Sequence, residues 1–262
     1  MYHFSDSLTQ AIEESNSFIF GKNEKWEANT EIPMHHHSRH QLIYSTKGTI
    51  KVLTDQGFWI LPPFKAIWIN KNTSHGFRTK FSAEIYILYI KEEIDLQLSS
   101  NSCVVLDVNP LIKELVNKCV NFKWYYSPKS SEERLSQVLM DQLIYLDQPP
   151  VNIPEPQNIK IYKIAELFRD DPSNNLTLTE IAKIIHTSER TIERLFIQDT
   201  GMSFSEWRNR FRLVTSLEYL AENETVSTIA NLVGFDHSSS YISAFKRLFG
   251  CTPKKYFSQI KF

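Results

Sequence analysis

Four histidines lie close together in the segment PMHHHSRHQLIYSTKG. His35 and His37 are two residues apart, so in an extended strand their side chains would point to the same face, and Gln41 has the same parity. A later segment, LPPFKAIWINKNTSH, ends in a further histidine, His75. Imidazole nitrogens are common ligands of divalent metal ions, and the candidate ions are Zn, Ni, Fe and Mn. The residues of these two segments that could bind a metal are His35, His37, Gln41 and His75.

A pocket for an organic effector, with the histidines as hydrogen-bonding walls, is the alternative to a metal site. An incidental run of exposed histidines is a third interpretation. Gln41 is a neutral and weak ligand where a carboxylate would bind a metal more firmly. His36 and His40 have the opposite or an interrupted parity and are not expected to take part. Four nearby aromatic residues are expected in the core instead, namely Phe58, Trp59, Trp68 and Phe77.

The second half of the chain contains an internal repeat. LTEIAKIIHTSERTIERLFIQDTG, at 178–201, matches VSTIANLVGFDHSSSYISAFKRLFG, at 226–250, and the second turn is one residue longer. Each copy predicts a short helix, a tight turn and a second helix, which together form a helix-turn-helix unit. Gly234 suits the second turn because glycine tolerates a positive φ. His186 stands at the equivalent place in the first.

These residues resemble the DNA-binding domain of the AraC/XylS family of transcription regulators. The resemblance covers 160–262, and its most specific stretch is Phe245–Gly250. Ser216 stands where the family usually has alanine. The matching residues are Leu176–Ala182, Leu195-Phe196, the helix from Trp207 through Arg212 to Leu220, Ile229-Ala230, Val233-Gly234-Phe235, Phe245–Gly250, Pro253 and Tyr256.

The resemblance implies that the second helix of each unit enters the major groove of double-stranded DNA. Those helices are expected at about 188–200 and 238–249. Arginine can pair with guanine and glutamate can accept a hydrogen bond from cytosine. Lys246 is expected to contact phosphate. The residues expected to contact bases are Arg190, Glu193 and Arg194 in the first helix, and Ser238, Ser239, Ile242 and Ser243 in the second.

The histidine pattern of the N-terminal half also resembles a family. His-x-His, a glutamine and a distant histidine are similar to the two motifs of cupins, and to the sensor domain of short AraC-type regulators. The resemblance implies a small antiparallel β-barrel that binds a metal or a small molecule, and it predicts His35, His37, Gln41 and His75 as the metal ligands. In metal-binding cupins a glutamate often occupies the position of Gln41.

The elements around these motifs agree with that division. Residues 17–106 contain short runs of strand-forming residues, which favour an antiparallel barrel or sandwich. Two helices follow, the first starting at Asn109-Pro110 and the second at a capping box of Ser130 and Glu133. In the second half, capping boxes of Thr177 with Glu180 and of Ser203 with Glu206 predict two further helix starts. The predicted strands are Gln41–Ser45, Thr49–Leu53, Phe58–Leu61, Ala66–Ile69 and Glu84–Ile90.

A proline-rich segment, DQPPVNIPEPQN, separates the two halves. Because proline disrupts helices and cannot donate to a sheet ladder, this segment is expected to join neither a helix nor a sheet and to be a semi-rigid spacer. The expected organisation is a cupin-like sensor and dimerisation domain at 1–148, a linker at 149–158, and an all-α domain of two helix-turn-helix units at 159–262. The two helices at 110–122 and 131–146 are expected to form a homodimer contact.

Composition narrows the functional classes. The 42% hydrophobic content suits folded domains, and no apolar run is long enough to cross a bilayer. The N-terminus lacks the features of a signal peptide, and three widely spaced cysteines give neither a disulfide framework nor a zinc pattern. A cytoplasmic location is therefore expected. Residues 160–262 hold 14 basic and 12 acidic residues, a small positive balance whose sign suits a partner-binding C-terminal half.

The leading hypothesis is a sequence-specific DNA-binding regulator whose barrel senses a small ligand or a metal. A metal-dependent cupin enzyme with an attached DNA-binding domain is the main rival. A helical interaction module without DNA affinity is the third. The sequence contains no glycine-rich phosphate loop, nucleophile elbow or HExxH motif, so no catalytic residues are predicted.

Overall fold

The computed structural model describes residues 11–94, 96, 98 and 102–258. These residues form two compact units. The first comprises the described residues up to 55 together with 61–149, and the second comprises 56–60 together with 150–258.

The first unit is built mainly from antiparallel strands. One sheet has the strand order β1-β8-β3-β6-β9, and in a second sheet β7 pairs on its two edges with β2 and β4. This cupin-like arrangement confirms the fold predicted for the N-terminal half. The strands found among the described residues of both units are β1 (Ile19–Trp26), β2 (Glu31–His35), β3 (His40–Lys47), β4 (Ile50–Thr54), β5 (Gly57–Leu61), β6 (Lys65–Ile69), β7 (His75–Arg78), β8 (Ala83–Ile90), β9 (Cys103–Asp107) and β10 (Asn152–Pro154).

All five individually predicted strands are confirmed, as β3, β4, β5, β6 and β8. The other strands carry weaker sequence signals. In β1 the charged residues Lys22 and Glu24 interrupt the apolar pattern of the strand, and they form an ion pair of 2.7 Å. β7 has only four residues, HGFR, too few for a period-2 pattern to stand out.

Two helices pack on the first sheet. Helix α1 (Pro110–Cys119) starts at Asn109, whose side chain accepts a hydrogen bond from the N–H of Ile112. Helix α2 (Ser131–Leu143) starts at Ser130, whose side chain accepts from the N–H of Glu133. Both helices bury an apolar face in one core with β3, β6 and β8, so these strands and helices are stabilised together.

The expectation that the proline-rich segment stays out of a sheet ladder is wrong. β10 lies inside it and pairs antiparallel with β5, with Ile153 opposite Phe58. The N–H of Ile60 donates to the carbonyl of Val151, and the N–H of Glu155 donates to that of Gln56. These bonds need no proline N–H, and a short edge strand tolerates proline at such positions.

The second unit is otherwise helical, as predicted. Thr177 and Ser203 each form a capping box, with Glu180 and Glu206, which confirms two predicted helix starts. Within the described residues, no helix is long and apolar enough to cross a membrane. The helices are α3 (Ile159–Asp170), α4 (Leu178–Ile184), α5 (Glu189–Thr200), α6 (Phe204–Ala221), α7 (Val226–Leu232), α8 (Ser238–Phe249) and α9 (Pro253–Ser258).

The internal repeat is visible in backbone hydrogen bonds. After α4 the N–H of Thr187 donates to Ala182, and after α7 the N–H of Phe235 donates to Ala230, at 2.9 and 2.8 Å. Both turns contain a residue of positive φ, which is His186 at 50° and Gly234 at 79°. The turns therefore share one geometry although only the second has the glycine that suits it.

Candidate functional site

Three histidines converge in the first unit. In the register of the second sheet His35 on β2 lies opposite His75 on β7, and their ring centroids are 4.3 Å apart. His37 lies just beyond the end of β2, and its ring is 5.3 Å from that of His75. One imidazole nitrogen from each residue lies within 4.8 Å of the others. Three of the four predicted metal ligands are thus brought together.

Hydrogen bonds fix the tautomer of each ring. Nδ1 of His35 bonds to the carbonyl of Pro33, that of His37 to Arg39, and that of His75 to Thr73, at 2.8–2.9 Å. A carbonyl oxygen only accepts, so each Nδ1 carries the proton and each Nε2 is left as the basic nitrogen. A backbone carbonyl on the other ring nitrogen is the usual arrangement of metal-binding histidines.

Burial keeps these rings neutral. Desolvation lowers the pKa of His37 to about 4 and that of His75 to about 3. Desolvation also lowers the pKa of His35, although its bond to Pro33 opposes the shift. Near neutral pH each ring therefore keeps its proton on Nδ1 and a lone pair on Nε2, which is the form that binds a metal or accepts a hydrogen bond.

Gln41 and Tyr89 extend the cluster. They lie directly opposite each other on β3 and β8, and the Gln41 side chain is close to both His37 and Tyr89. Among the described residues, Gln41 Oε1, the Tyr89 hydroxyl and Nε2 of His37 and His75 are buried without a well-formed hydrogen bond. Buried polar atoms left in this way cost free energy, and their proximity indicates a ligand site. The sequence analysis did not predict Tyr89 as part of the site, because only the register of β3 and β8 places it beside Gln41.

The loop that carries His37 is held by the segment before β1. The Arg39 guanidinium, which is buried, donates to the carbonyls of Ile12, Ser15 and Ser17. Ser38 donates to the Glu13 carboxylate through its N–H and its hydroxyl. Since Arg39 also accepts the His37 bond, these contacts position the imidazole.

The residues excluded from the metal site are placed elsewhere, as expected. His36 is exposed. His40 is buried and stacks on Trp68, with ring centroids 5.0 Å apart. Phe58, Trp59, Trp68 and Phe77 are all buried core residues, although the Phe77 ring is also 5.3 Å from that of His75.

Helix α5 presents a polar face in the second unit. Arg190 and Arg194 are exposed and one turn apart, and Gln198 continues the same face. The opposite face is buried through Ile192, Leu195 and Phe196. The two arginines therefore lie on the exposed face of α5, and a helix that enters a DNA groove needs its long polar side chains on such a face.

Glu193 has a different environment from its arginine neighbours. Its carboxylate accepts a hydrogen bond of 3.1 Å from the N–H of Phe204, the first residue of α6. An acidic group there interacts favourably with the helix dipole. This contact ties α5 to α6 and does not favour the base contact predicted for Glu193. Ile197, which the sequence prediction omitted, is 56% exposed on the same side of α5 as Arg190 and Arg194.

Helix α8 presents shorter side chains. Ser238, Ser239, Ser243 and Lys246 are exposed and Ile242 is half-buried. Tyr241 and Phe245 anchor the opposite face in the core. The Tyr241 hydroxyl donates to Ser216 at 2.9 Å, so the serine that replaces the usual alanine has a bonded hydroxyl.

A cupin-like domain joined to two helix-turn-helix units defines a transcription regulator with a ligand-binding domain. The chain matches the model of the AraC-like ligand binding domain over residues 24–115 and that of a helix-turn-helix domain over 181–259. It is 30% identical over 228 residues to the HTH-type transcriptional regulator NimR of Escherichia coli, which covers 87% of this chain and 83% of NimR. The chain belongs to the AraC family of transcription regulators.

Two further similarities are more limited. The HTH-type transcriptional regulator RipA of Corynebacterium glutamicum is 37% identical over 113 residues, which is 43% of this chain and 34% of RipA. A solved structure of ToxT from Vibrio cholerae aligns with 92% of this chain and 98% of its own at 14% identity. Its TM-score of 0.38 is too low to support an inference.

Proposed function

We propose that this regulator senses a divalent metal ion through His35, His37 and His75, and that the metal changes how strongly it binds its DNA. The supporting observation is the convergence of three imidazole nitrogens within 4.8 Å. Each Nδ1 is held by a backbone carbonyl, so Nε2 is the coordinating atom.

The chemistry of these groups favours particular metals. Three neutral imidazoles, with the Gln41 amide oxygen as a weak fourth ligand, suit Zn, Ni or Fe better than Mg or Ca. Mn is a weaker candidate because it prefers carboxylate and carbonyl oxygens. A bound ion would supply a positive charge that these ligands do not neutralise.

DNA recognition is proposed for the exposed faces of α5 and α8. Arg190 and Arg194 have the length and the donors to reach base edges, whereas Ser238, Ser239, Ile242 and Ser243 reach less far. We assign direct base contacts mainly to α5, and phosphate contact and DNA shape mainly to α8 with Lys246.

Assembly and location complete the proposal. Leu111 on α1 and Val138 on α2 are 53% and 45% exposed although both helices bury most of their apolar residues. We propose that this remaining apolar surface forms a homodimer contact, and that the protein acts in the cytoplasm, where its DNA lies. The matched relatives described above are regulators, and no observation favours an enzyme.

Metal titration tests the sensing proposal. The full chain, purified without an affinity tag and stripped with a chelator, is titrated with Zn²⁺ or Ni²⁺ and analysed for bound metal. We expect one ion per chain in the wild type, loss of stoichiometric binding in His37→Ala and His75→Ala, and wild-type binding in His36→Ala, whose side chain is exposed.

Two outcomes would contradict it. Stoichiometric metal that persists in the triple variant of His35, His37 and His75 would place the site elsewhere. Absence of binding by the wild type would favour an organic effector in the same pocket, with the imidazoles as hydrogen-bond acceptors.

A further inference from the structure

Arg212 lies in the middle of α6, the helix that joins the two helix-turn-helix units. It is 6% exposed, which is unusual for arginine. Its guanidinium donates to the carbonyl of Gly234 at 2.8 Å, the carbonyl of Asn174 at 2.6 Å and the side chain of Asn175 at 2.9 Å.

These three bonds reach both units. Asn174 and Asn175 lie just before Thr177, which caps the first helix of the first unit. Gly234 lies in the turn of the second unit, between α7 and α8. One planar group therefore connects the entry of the first unit to the turn of the second.

The packing around this group leaves little freedom. A Cβ on Gly234 would lie 2.7 Å from Nη2 of Arg212 and 2.9 Å from the carbonyl oxygen of Ser173, and the φ of Gly234 is +79°. Phe235 lies on another side, with its ring centroid 6.0 Å from the Arg212 Cζ. The turn of the second unit is thus fitted closely around the guanidinium.

The bonding partners of Arg212 are uncharged oxygen atoms, with Asp171 and Asp236 contributing favourable charge from nearby. Burying a cation against neutral acceptors costs desolvation free energy that the bonds only partly offset. An apolar side chain could fill such a place with less cost. What arginine adds is a fixed geometry, because its planar guanidinium donates to several acceptors at once and so fixes their positions relative to one another.

We propose that Arg212 is a positioning residue that sets the distance and angle between α5 and α8, so that both helices fit one DNA site. Each unit also has its own contact with α6, through Glu193 to Phe204 in the first and Tyr241 to Ser216 in the second. Each of those contacts joins a single unit to α6, whereas the guanidinium of Arg212 forms hydrogen bonds with both units at the same time. The inference rests on the proposed binding of DNA by both units.

Binding to matched duplexes tests this role. The wild-type full chain first selects a duplex from a random-sequence library, and derivatives then carry one scrambled half or a one-base-pair insertion between the halves. The variants are Arg212→Lys and Arg212→Met. Arg210→Lys is the control, since Arg210 lies on the same helix, is half-buried and bonds instead to Asn152.

Arg212→Lys should lose affinity for the intact duplex by about tenfold or more. When the geometry between the two units is not fixed, binding of one unit no longer places the other correctly on its half of the site. The affinity of this variant for the half-scrambled duplex should change by less than about twofold, and the insertion should harm it less than it harms the wild type. Arg210→Lys should behave as the wild type. Equal losses on intact and half-scrambled duplexes would overturn the proposal, because they indicate a general loss of folding.

A second measurement does not depend on DNA. Spin labels at Gln198→Cys and Ser243→Cys, both exposed positions, in a chain with its native cysteines replaced, report the distance between α5 and α8. The distance distribution should be narrow with Arg212 and broader with Arg212→Lys or Asn175→Ala. Identical distributions would refute the positioning role, whereas failure of the selection alone would refute only the proposed DNA recognition. Arg212→Met should behave as Arg212→Lys does in both measurements, and if it does not fold, Asn175→Ala replaces it in the duplex measurement.

Discussion

Burial of the histidine cluster makes the stability of the metal-free protein depend on pH. The pKa of His37 is lowered to about 4 and that of His75 to about 3, from 6.5. Between pH 6.5 and these values the unfolded chain binds more protons than the folded chain, so the free energy of unfolding decreases as the pH falls. Well above pH 6.5 both rings are neutral in both states and the contribution is complete.

We therefore expect the urea midpoint of the metal-free wild type to fall more steeply between pH 6.5 and pH 4 than that of a His37→Gln, His75→Gln double variant. His36→Gln should follow the wild type, because its side chain is exposed. The measurement is fluorescence-detected urea unfolding at a series of pH values. Parallel curves for wild type and double variant would contradict the buried, neutral state of these rings.

Arg194 and Lys246 should have different roles in DNA binding. Arg194→Ala should cost about 1–3 kcal/mol on the specific duplex and relax the preference at one base pair. Lys246→Ala should weaken all sequences alike and reduce the salt dependence by about one phosphate contact. A base-by-base substitution scan of the selected duplex, at fixed salt, measures both. Equal or greater losses in the half under Ser238–Ser243 would show that α8 contributes the main base contacts.

At the scale of elements, the proposed homodimer contact lies on the outer surface of α1 and α2. Val138 is 45% exposed, and Val138→Arg should raise the dimer dissociation constant by about tenfold or more, because burying an unpaired charge is costly. Gln137→Arg is the control, since adjacent helical residues point about 100° apart. Sedimentation of the full chain at micromolar concentration distinguishes the two. A monomeric wild type would contradict the proposed dimer.

Hydrogen bonding also explains where element prediction failed. The proline-rich segment was expected to be a spacer because proline cannot donate, yet β10 pairs with β5 through the N–H groups of Ile60 and Glu155. The number of prolines does not determine whether the segment pairs, because pairing depends on which N–H groups face the partner strand. The direction of each N–H group is known only once the position of the strand in the sheet is known.

At the scale of the whole molecule, metal and DNA binding should be linked. If the metal changes the DNA affinity by a given factor, DNA must change the metal affinity by the same factor, and about 5–150-fold is typical of such coupling. Fluorescence anisotropy with labelled duplex, with and without Zn²⁺ or Ni²⁺, gives the first factor, and metal titration with and without duplex gives the second. In His75→Ala the DNA affinity should not respond to metal. Equal DNA affinities for metal-free and metal-loaded wild type would exclude the proposed sensing.

The sequence alone determined the features that depend on local spacing. The repeat with Ala182 and Ala230, the capping boxes at Thr177 and Ser203, and the short strands all follow from periodicity and side-chain chemistry over a few residues. These patterns were sufficient for both halves of the fold and for the histidines of the candidate metal site.

Only the tertiary structure decided which distant residues meet. Tyr89 joins Gln41 because β3 and β8 pair in one register. Glu193 caps α6 rather than facing outward freely, and Arg212 bonds Asn174 and Gly234 on two different units. Such contacts join segments far apart in the chain, and no local pattern encodes them, because strand register and helix packing are set by the whole core.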